Sequence, residues 1–268
     1  MPDTSLPPWA IAMVLMVAPF MGSFAALVAD RLPEGRGWIT GRSRCGACQH
    51  PLGPRDLVPT LSFLARRGRC RYCGAPIPRH LPLMEGAALL IALLAVLTAS
   101  GAVALAMAGL GWWLLVLARI DLTHWRLPDS LTLPLVPIGL ALAWALPEVR
   151  DPLARNGAEA VIWHLAAAGF GFLLFEGLRR SYRALRGREG LGGGDSRLMA
   201  GAGAFTGPLA LPLMILMAAL SALLVAGIAR LAGRTVTAGT ALPFGPVLAL
   251  ALWLTWHPAI RAVMLGLP

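Results

Sequence analysis

The chain reads as an all-α polytopic membrane protein of about eight transmembrane helices with a small cytoplasmic zinc-binding loop domain, and three observations predict this. Of its 268 residues, 57% are hydrophobic and only 13% charged, and the mean hydropathy of +0.69 is far too apolar for a soluble domain of this length. Its apolar residues gather in runs close to the ~20 that a spanning helix needs. All four cysteines sit in one polar, arginine-rich loop.

The expected spans are 9–29, 83–99, 102–120, 131–147, 159–178, 198–213, 215–232 and 243–264, each an apolar stretch bounded by charge, proline or glycine. The amino terminus carries Asp3 and lacks the basic segment of a cleaved signal peptide, so the first run is expected to stay as a span. Residues 198–232 offer little length for two spans, and Gly207-Pro208 is either a turn between two helices or a kink within one. A seven-span alternative would change only the side of the carboxyl terminus.

Charge sets the expected sidedness. The 23 basic residues are all arginine and give a net charge of +10; in a membrane protein such clusters mark cytoplasmic loops before they mark a nucleic-acid surface, so no nucleic-acid partner is expected. Residues 30–82 hold ten arginines against Asp30, Glu34 and Asp56, a net +7, and residues 179–197 hold six against Glu189 and Asp195, a net +4. Both are expected in the cytoplasm, whereas the neutral loop 148–158 suits the opposite face. Eight spans then leave both termini outside. The expected domains are 1–29, a first helix; 30–82, the cysteine domain; and 83–268, a membrane-embedded catalytic domain.

The cysteines form two pairs, Cys45-Gly-Ala-Cys48 and Cys70-Arg-Tyr-Cys73, separated by 21 residues. Two such pairs supply four thiolates around a tetrahedral zinc, with Gly46, Pro51, Gly74 and Pro76 providing turn chemistry. Two disulfides are the alternative, which a reducing cytosol disfavours. With no open coordination position the metal would be structural.

Two acids, Asp121 and Asp195, lie where apolar runs meet basic loops, and the second closes Gly192-Gly193-Gly194-Asp195. A carboxylate at a membrane edge is costly to desolvate, and two facing each other would share a proton, the requirement for hydrolysing a peptide bond between them. Asp129 competes with Asp121, but following Pro128 at a helix start it reads as a cap, whereas Asp121 at a helix end opposes the macrodipole. Glu85 reads as a first-turn acid and Glu176 as a partner of Arg179 or Arg180. His124 is close enough in sequence to tune Asp121 but reads as solvated. Trp112, Trp113, Trp125 and Trp256 read as interfacial anchors.

Almost end to end, the chain resembles the type IV prepilin peptidases, membrane aspartic proteases also called leader peptidase/N-methyltransferases. The resemblance rests on Gly22-Ser23-Phe24 with Arg31-Leu32-Pro33, both cysteine pairs with Asp56 to Pro59 and Gly68 to Arg71 between them, Pro82 to Glu85, Ile120-Asp121 with Leu127-Pro128-Asp129, Gly192 to Asp195, and Pro243-Phe244-Gly245-Pro246, in family order. It implies removal of a basic leader from prepilins or pseudopilins after a glycine, at the cytoplasmic face of the bacterial inner membrane, with Asp121 and Asp195 as the catalytic acids. It also implies methylation of the new amino terminus by S-adenosylmethionine, an activity associated with the cysteine module, for which Glu85 is the candidate binding residue. The chain departs from the family at Ala25-Ala26, where asparagine is common, and at Gly46, where proline is. The competing reading is a scaffold whose zinc module docks a cytoplasmic partner without catalysis. A transporter would hold its acids nearer mid-membrane.

Overall fold

In a computed structural model the described residues are 6–38, 41–187, 190–233 and 243–265; Asp3, and the Arg188 and Glu189 counted in the second basic loop, lie outside them. The chain divides into two compact units, Met1–Arg119 and Ile120–Pro268. Every apolar run among the described residues is helical, and five helices are long and apolar enough to cross a membrane.

In the first unit, helix α1 (Pro8–Arg31) packs along α3 (His80–Thr98), with the short α2 (Leu61–Ala65) in the loop between them and the body of α4 (Gly101–His124) following. The seam of α1 and α3 is built of small residues. Ala18, Ala25, Ala26 and Ala29 are buried, as are Ala88, Ala92 and Ala95. At Gly22 a Cβ would stand 2.5 Å from Glu85 Cα. Lipid is as apolar as leucine, so helices in it gain little from hydrophobicity and associate through such close backbone approach.

The second unit holds α5 (Asp129–Thr132), α6 (Leu135–Ala145), α7 (Gly157–Arg186), α8 (Gly193–Leu231), α9 (Gly245–Trp256) and α10 (Pro258–Leu265). Helix α8 is central and packs on α6, α7 and α9. Its continuity is only apparent, because Gly207 has φ 71° and ψ 176°, a conformation open to glycine, and Pro208 follows. Met199 and Leu211 would lie ~18 Å apart along a straight helix, yet both come within 4 Å of a Cβ placed at Gly171. The two arms, 193–206 and 208–231, therefore fold back on each other, and Gly207 is the turn. The reversal falls seven residues earlier than the 213/215 boundary expected from hydropathy. With both arms counted, the described residues form eight apolar helical segments.

A turn inside an apolar layer strands backbone groups, and side chains from elsewhere in the unit take them up. The Ala204 carbonyl loses its usual i+4 donor because residue 208 is proline; His164 Nδ1 donates to it at 2.9 Å. The Leu209 N–H donates to Asp151 Oδ2 at 3.0 Å, and the Asp151 N–H donates to His164 Nε2 at 3.1 Å. These partners fix the neutral tautomer of His164 with its proton on Nδ1. Arg261 closes the cluster, 3.8 Å from Asp151 Oδ2.

Two expectations are corrected here. The last run does not form one span over 243–264, since α9 ends at Trp256 and α10 begins at Pro258. Trp256 is not an interfacial anchor: it is 1% exposed and packs edge-on against Phe205, centroids 5.2 Å apart. The α7–α8 seam supplies a test. A Cβ at Gly203 would stand 2.4 Å from the Ala167 carbonyl oxygen, whereas Gly169 has nothing within 4 Å. Gly203→Val should lower stability by about 1–3 kcal/mol, read as a lower melting temperature in detergent, while Gly169→Ala should leave it unchanged or raised.

Candidate active site

Asp121 lies three residues before the end of α4 and is 7% exposed. Its Oδ2 accepts the Gly245 N–H at 2.9 Å. Gly245 is the first residue of α9, so the carboxylate faces the positive end of that helix and offsets one of its unpaired donors. Glycine is required there for space, because a Cβ would sit 2.8 Å from Asp121 Oδ2. The Pro243-Phe244-Gly245-Pro246 run signalled a helix start, but nothing in the sequence tied it to Asp121.

Asp195 is built in the same way at the start of α8. It is the third residue of the helix and 7% exposed, and its Oδ2 accepts the Gly192 N–H at 3.1 Å. One oxygen thus caps the helix, while Oδ1 has no protein donor among the described residues. The two acids are close enough for the charge of Asp121 to act on Asp195. The loops carrying them also touch. A Cβ at Gly194 would lie 2.6 Å from Leu127 Cβ, and Arg197 pairs with Asp129 at 2.5 Å. Asp129 opens α5 as the acid of its first turn, as expected, and its carboxylate also pairs with Arg197.

Behind Asp195 stands a network that sequence reasoning resolved only in part. Glu176 accepts from Arg179 through both carboxylate oxygens, at 2.9 and 2.7 Å, and from Arg180 at 2.8 Å. Both arginines pair with it rather than one. Its Oε2 also accepts the hydroxyl of fully buried Ser196, the residue after Asp195, at 3.3 Å. His124 bonds to Thr123 Oγ1 at 2.8 Å.

In the first unit the four thiol sulfurs lie within 4.8 Å of one another. Each pair sits in the same turn. The Cys45 N–H donates to the His50 carbonyl and the Cys70 N–H to the Ala75 carbonyl, at 3.0 and 2.8 Å, and single bridges join Arg44 to Pro51 and Arg69 to Pro76. The repeated Arg-Cys-x-x-Cys-x-x-Pro was visible in the sequence. The left-handed position in each turn is Gln49 or Gly74, so Gly46 is not the residue that the turn demands. Backbone N–H groups of Cys48 and Ala47 hold the Cys45 thiol down at about 6. At Cys73 the Ala75 N–H also favours the thiolate, but hydrogen bonds with Cys48, Cys70 and Cys45 and partial desolvation outweigh it and push the thiol up to about 11. Four thiolates this close repel one another, and a divalent cation lets all four ionise.

Glu85 is the sixth residue of α3 and not part of its first turn. Its Oε2 accepts from both Thr60 N–H and Thr60 Oγ1, at 2.5 and 3.0 Å.

A chain of membrane helices with two carboxylates in one unit, each held by a helix amino terminus, and a four-thiol module in the other defines a multi-pass membrane enzyme. The comparisons with known proteins make that class specific. The model of the type IV leader peptidase family matches residues 108–227, and that of the bacterial Peptidase A24 N-terminal domain matches residues 16–99. The chain is 35% identical over 281 residues to a prepilin leader peptidase/N-methyltransferase of Aeromonas hydrophila, covering 94% of this chain and 93% of the relative. It is 40% identical over 223 residues to one of Burkholderia pseudomallei strain 1026b, covering 82% and 68%, and 33% identical over 286 residues to one of Pseudomonas aeruginosa, covering 94% and 92%. No solved structure gives a significant match. The chain belongs to the type IV leader peptidase family.

The Gly245 contact yields a direct test. Gly245→Ala should displace the Asp121 carboxylate and slow leader cleavage by about 100-fold, measured in detergent with a prepilin, without preventing membrane insertion.

Proposed function

We propose that the protein is an aspartic endopeptidase that removes the basic leader of type IV prepilins or pseudopilins after a glycine, and then methylates the new amino terminus with S-adenosylmethionine. The observation that carries the reading is the pair Asp121 and Asp195, each with one oxygen fixed by a backbone N–H and each slightly open to the outside. One carboxylate takes a proton from a water as its oxygen adds to the scissile carbonyl carbon. The protonated partner donates to the carbonyl oxygen, and the resulting diol collapses as a proton passes to the departing amine. No covalent intermediate forms.

The cytoplasmic face of the inner membrane is supported by charge: Asp195 belongs to the +4 stretch, and if α3 and α4 cross in succession the end of α4 that carries Asp121 returns to the side of the +7 loop. We assign the peptidase to 83–268 and the zinc domain to 30–82, after the first helix, 1–29. Cys45, Cys48, Cys70 and Cys73, with their sulfurs within 4.8 Å of one another, suit a zinc ion. A tetrahedral ion with Zn–S bonds of about 2.3 Å sets its sulfurs about 3.8 Å apart, and Cys45 Sγ and Cys73 Sγ are 3.8 Å apart. The metal would hold the two turns together, and it leaves the chemistry to the carboxylates. For the methyl donor, Glu85 Oε1 is the acceptor that remains beside the Thr60 contacts.

Asp121→Asn and Asp195→Asn should each abolish cleavage while the protein still inserts. Asp129→Asn should retain most of it, because its ion pair with Arg197 is half exposed, 39% and 53%, and worth under about 1 kcal/mol. Full activity in the Asp121 variant would transfer the role to Asp129, and an absence of turnover in the unaltered protein would favour the scaffold. The metal assignment is checked separately. The purified protein should carry one zinc per chain by elemental analysis, and Cys48→Ser should lose the metal and expose 43–77 to protease.

A further inference from the structure

We propose that the segment 57–64 of the cysteine module is a membrane anchor, seated in the interface of the bilayer with its leucines among the acyl chains and the flanking arginines on anionic headgroups. Three observations place it there. First, the segment carries an apolar surface with no protein cover: Leu57, Val58, Leu61 and Leu64 are 42%, 37%, 66% and 64% exposed. Leu61 and Leu64 are three residues apart on α2, so they share one face. Such a patch is unusual in a module that otherwise presents charge and turns.

Second, the segment is tied to a spanning helix at a definite depth. Thr60, held at φ 58°, gives both its N–H and its hydroxyl to buried Glu85. Helix α3 has 19 residues and a length of about 28 Å, close to the ~30 Å hydrocarbon core. Glu85 lies five residues past its start, about 7 Å along the helix axis. Leu83, nearer the helix end, is itself 70% exposed, so apolar surface already faces outward at that level. The tether therefore carries Val58 to Leu64 down to the headgroup and acyl boundary, where short apolar faces insert by about 5–10 Å.

Third, the charge around the patch matches an anionic leaflet. Arg55, Arg67, Arg69 and Arg71 are exposed on either side of it, in a loop of net charge +7. The Asp56 carboxylate, the acid next to the segment, accepts the Gly53 N–H and is neutralised by Arg66 at 2.5 Å. Leucines that enter the interface, rimmed by arginines that reach phosphates, make an interfacial anchor. The inference concerns the seating of the module and stands whether or not the catalytic reading does.

The test uses the full-length protein in nanodiscs of mixed anionic and zwitterionic phospholipid. A photoreactive diazirine analogue of leucine replaces Leu61, and in a second variant Leu64, with Gln49 in the first cysteine turn as the reference position. Because the analogue is apolar and similar in size, folding is kept. After illumination, mass spectrometry should find phospholipid adducts at 61 and 64 in roughly tenfold excess over 49. Equal labelling at all three positions, or adducts at 61 and 64 with protein instead of lipid, would overturn the proposal. Hydrogen exchange supplies a second reading. Amides of 57–67 should exchange more slowly in anionic nanodiscs than in purely zwitterionic ones, and identical exchange would remove the headgroup part of the proposal.

Discussion

A polar group inside an apolar solvent must find its partner within the chain, and that constraint organises this protein. Water is not present to satisfy a stray N–H or a carboxylate, and each unsatisfied group costs several kcal/mol. The carboxylates of Asp121 and Asp195 and the free amides at the starts of α9 and α8 answer each other's need. Two kinds of stranded group are paired, and the pairing orients the acids before any substrate arrives. Preorganised donors of this kind need no rearrangement during a reaction.

The same constraint explains the turn at Gly207 and makes the site possible. A straight α8 of 39 residues would run about 58 Å, and the residues from Leu231 to Gly245, even fully extended, reach about 50 Å at most. The amino terminus of α9 therefore lies beside that of α8 only because α8 folds back. Of the two alternatives at Gly207, the reversal is a turn between two helices and not a kink within one. Asp151, His164 and Arg261 are thus part of the site's foundation, although none of them touches it. By pairing Ala204 and Leu209, they let the turn exist inside an apolar layer.

Much of this was legible in the sequence, and the reasons for the rest are physical. Hydropathy found every long helix because lipid selects on composition alone. The cysteine pairs were legible because their ligands are local, four residues to a turn. What the sequence did not show is which helices meet. Small residues such as Gly203 and Gly171 announce close approach but not the partner, and Trp256 looked like an interfacial residue because its burial against Phe205 depends on a contact 51 positions away. Backbone donors were hidden altogether. The Gly245 N–H is 124 residues from Asp121, and every non-proline residue has such a group, so no residue type marks it. The α8 turn was legible only as an alternative, because Gly207-Pro208 reads equally as turn or kink, and with both sides of Gly207 equally apolar hydropathy put the boundary at 213/215 instead.

Asp121 was preferred over Asp129 on the premise that a carboxylate at a helix carboxyl end opposes the dipole and so needs a reason to be there. The structure alters that premise. The end of α4 does disfavour the charge, but the start of α9 favours it, and the two fields act on the same carboxylate from opposite helices. The site is therefore less hostile than one helix suggests, and what sets Asp121 apart from Asp129 is neighbourhood. Asp129 is half exposed and paired with Arg197. Asp121 is buried, has no cationic partner among the described residues, and faces a second acid in the same condition. On the mechanism proposed above it is Asp121, and not Asp129, that would divide one proton with Asp195, because acid and base catalysis on a peptide bond asks for two acids in each other's field.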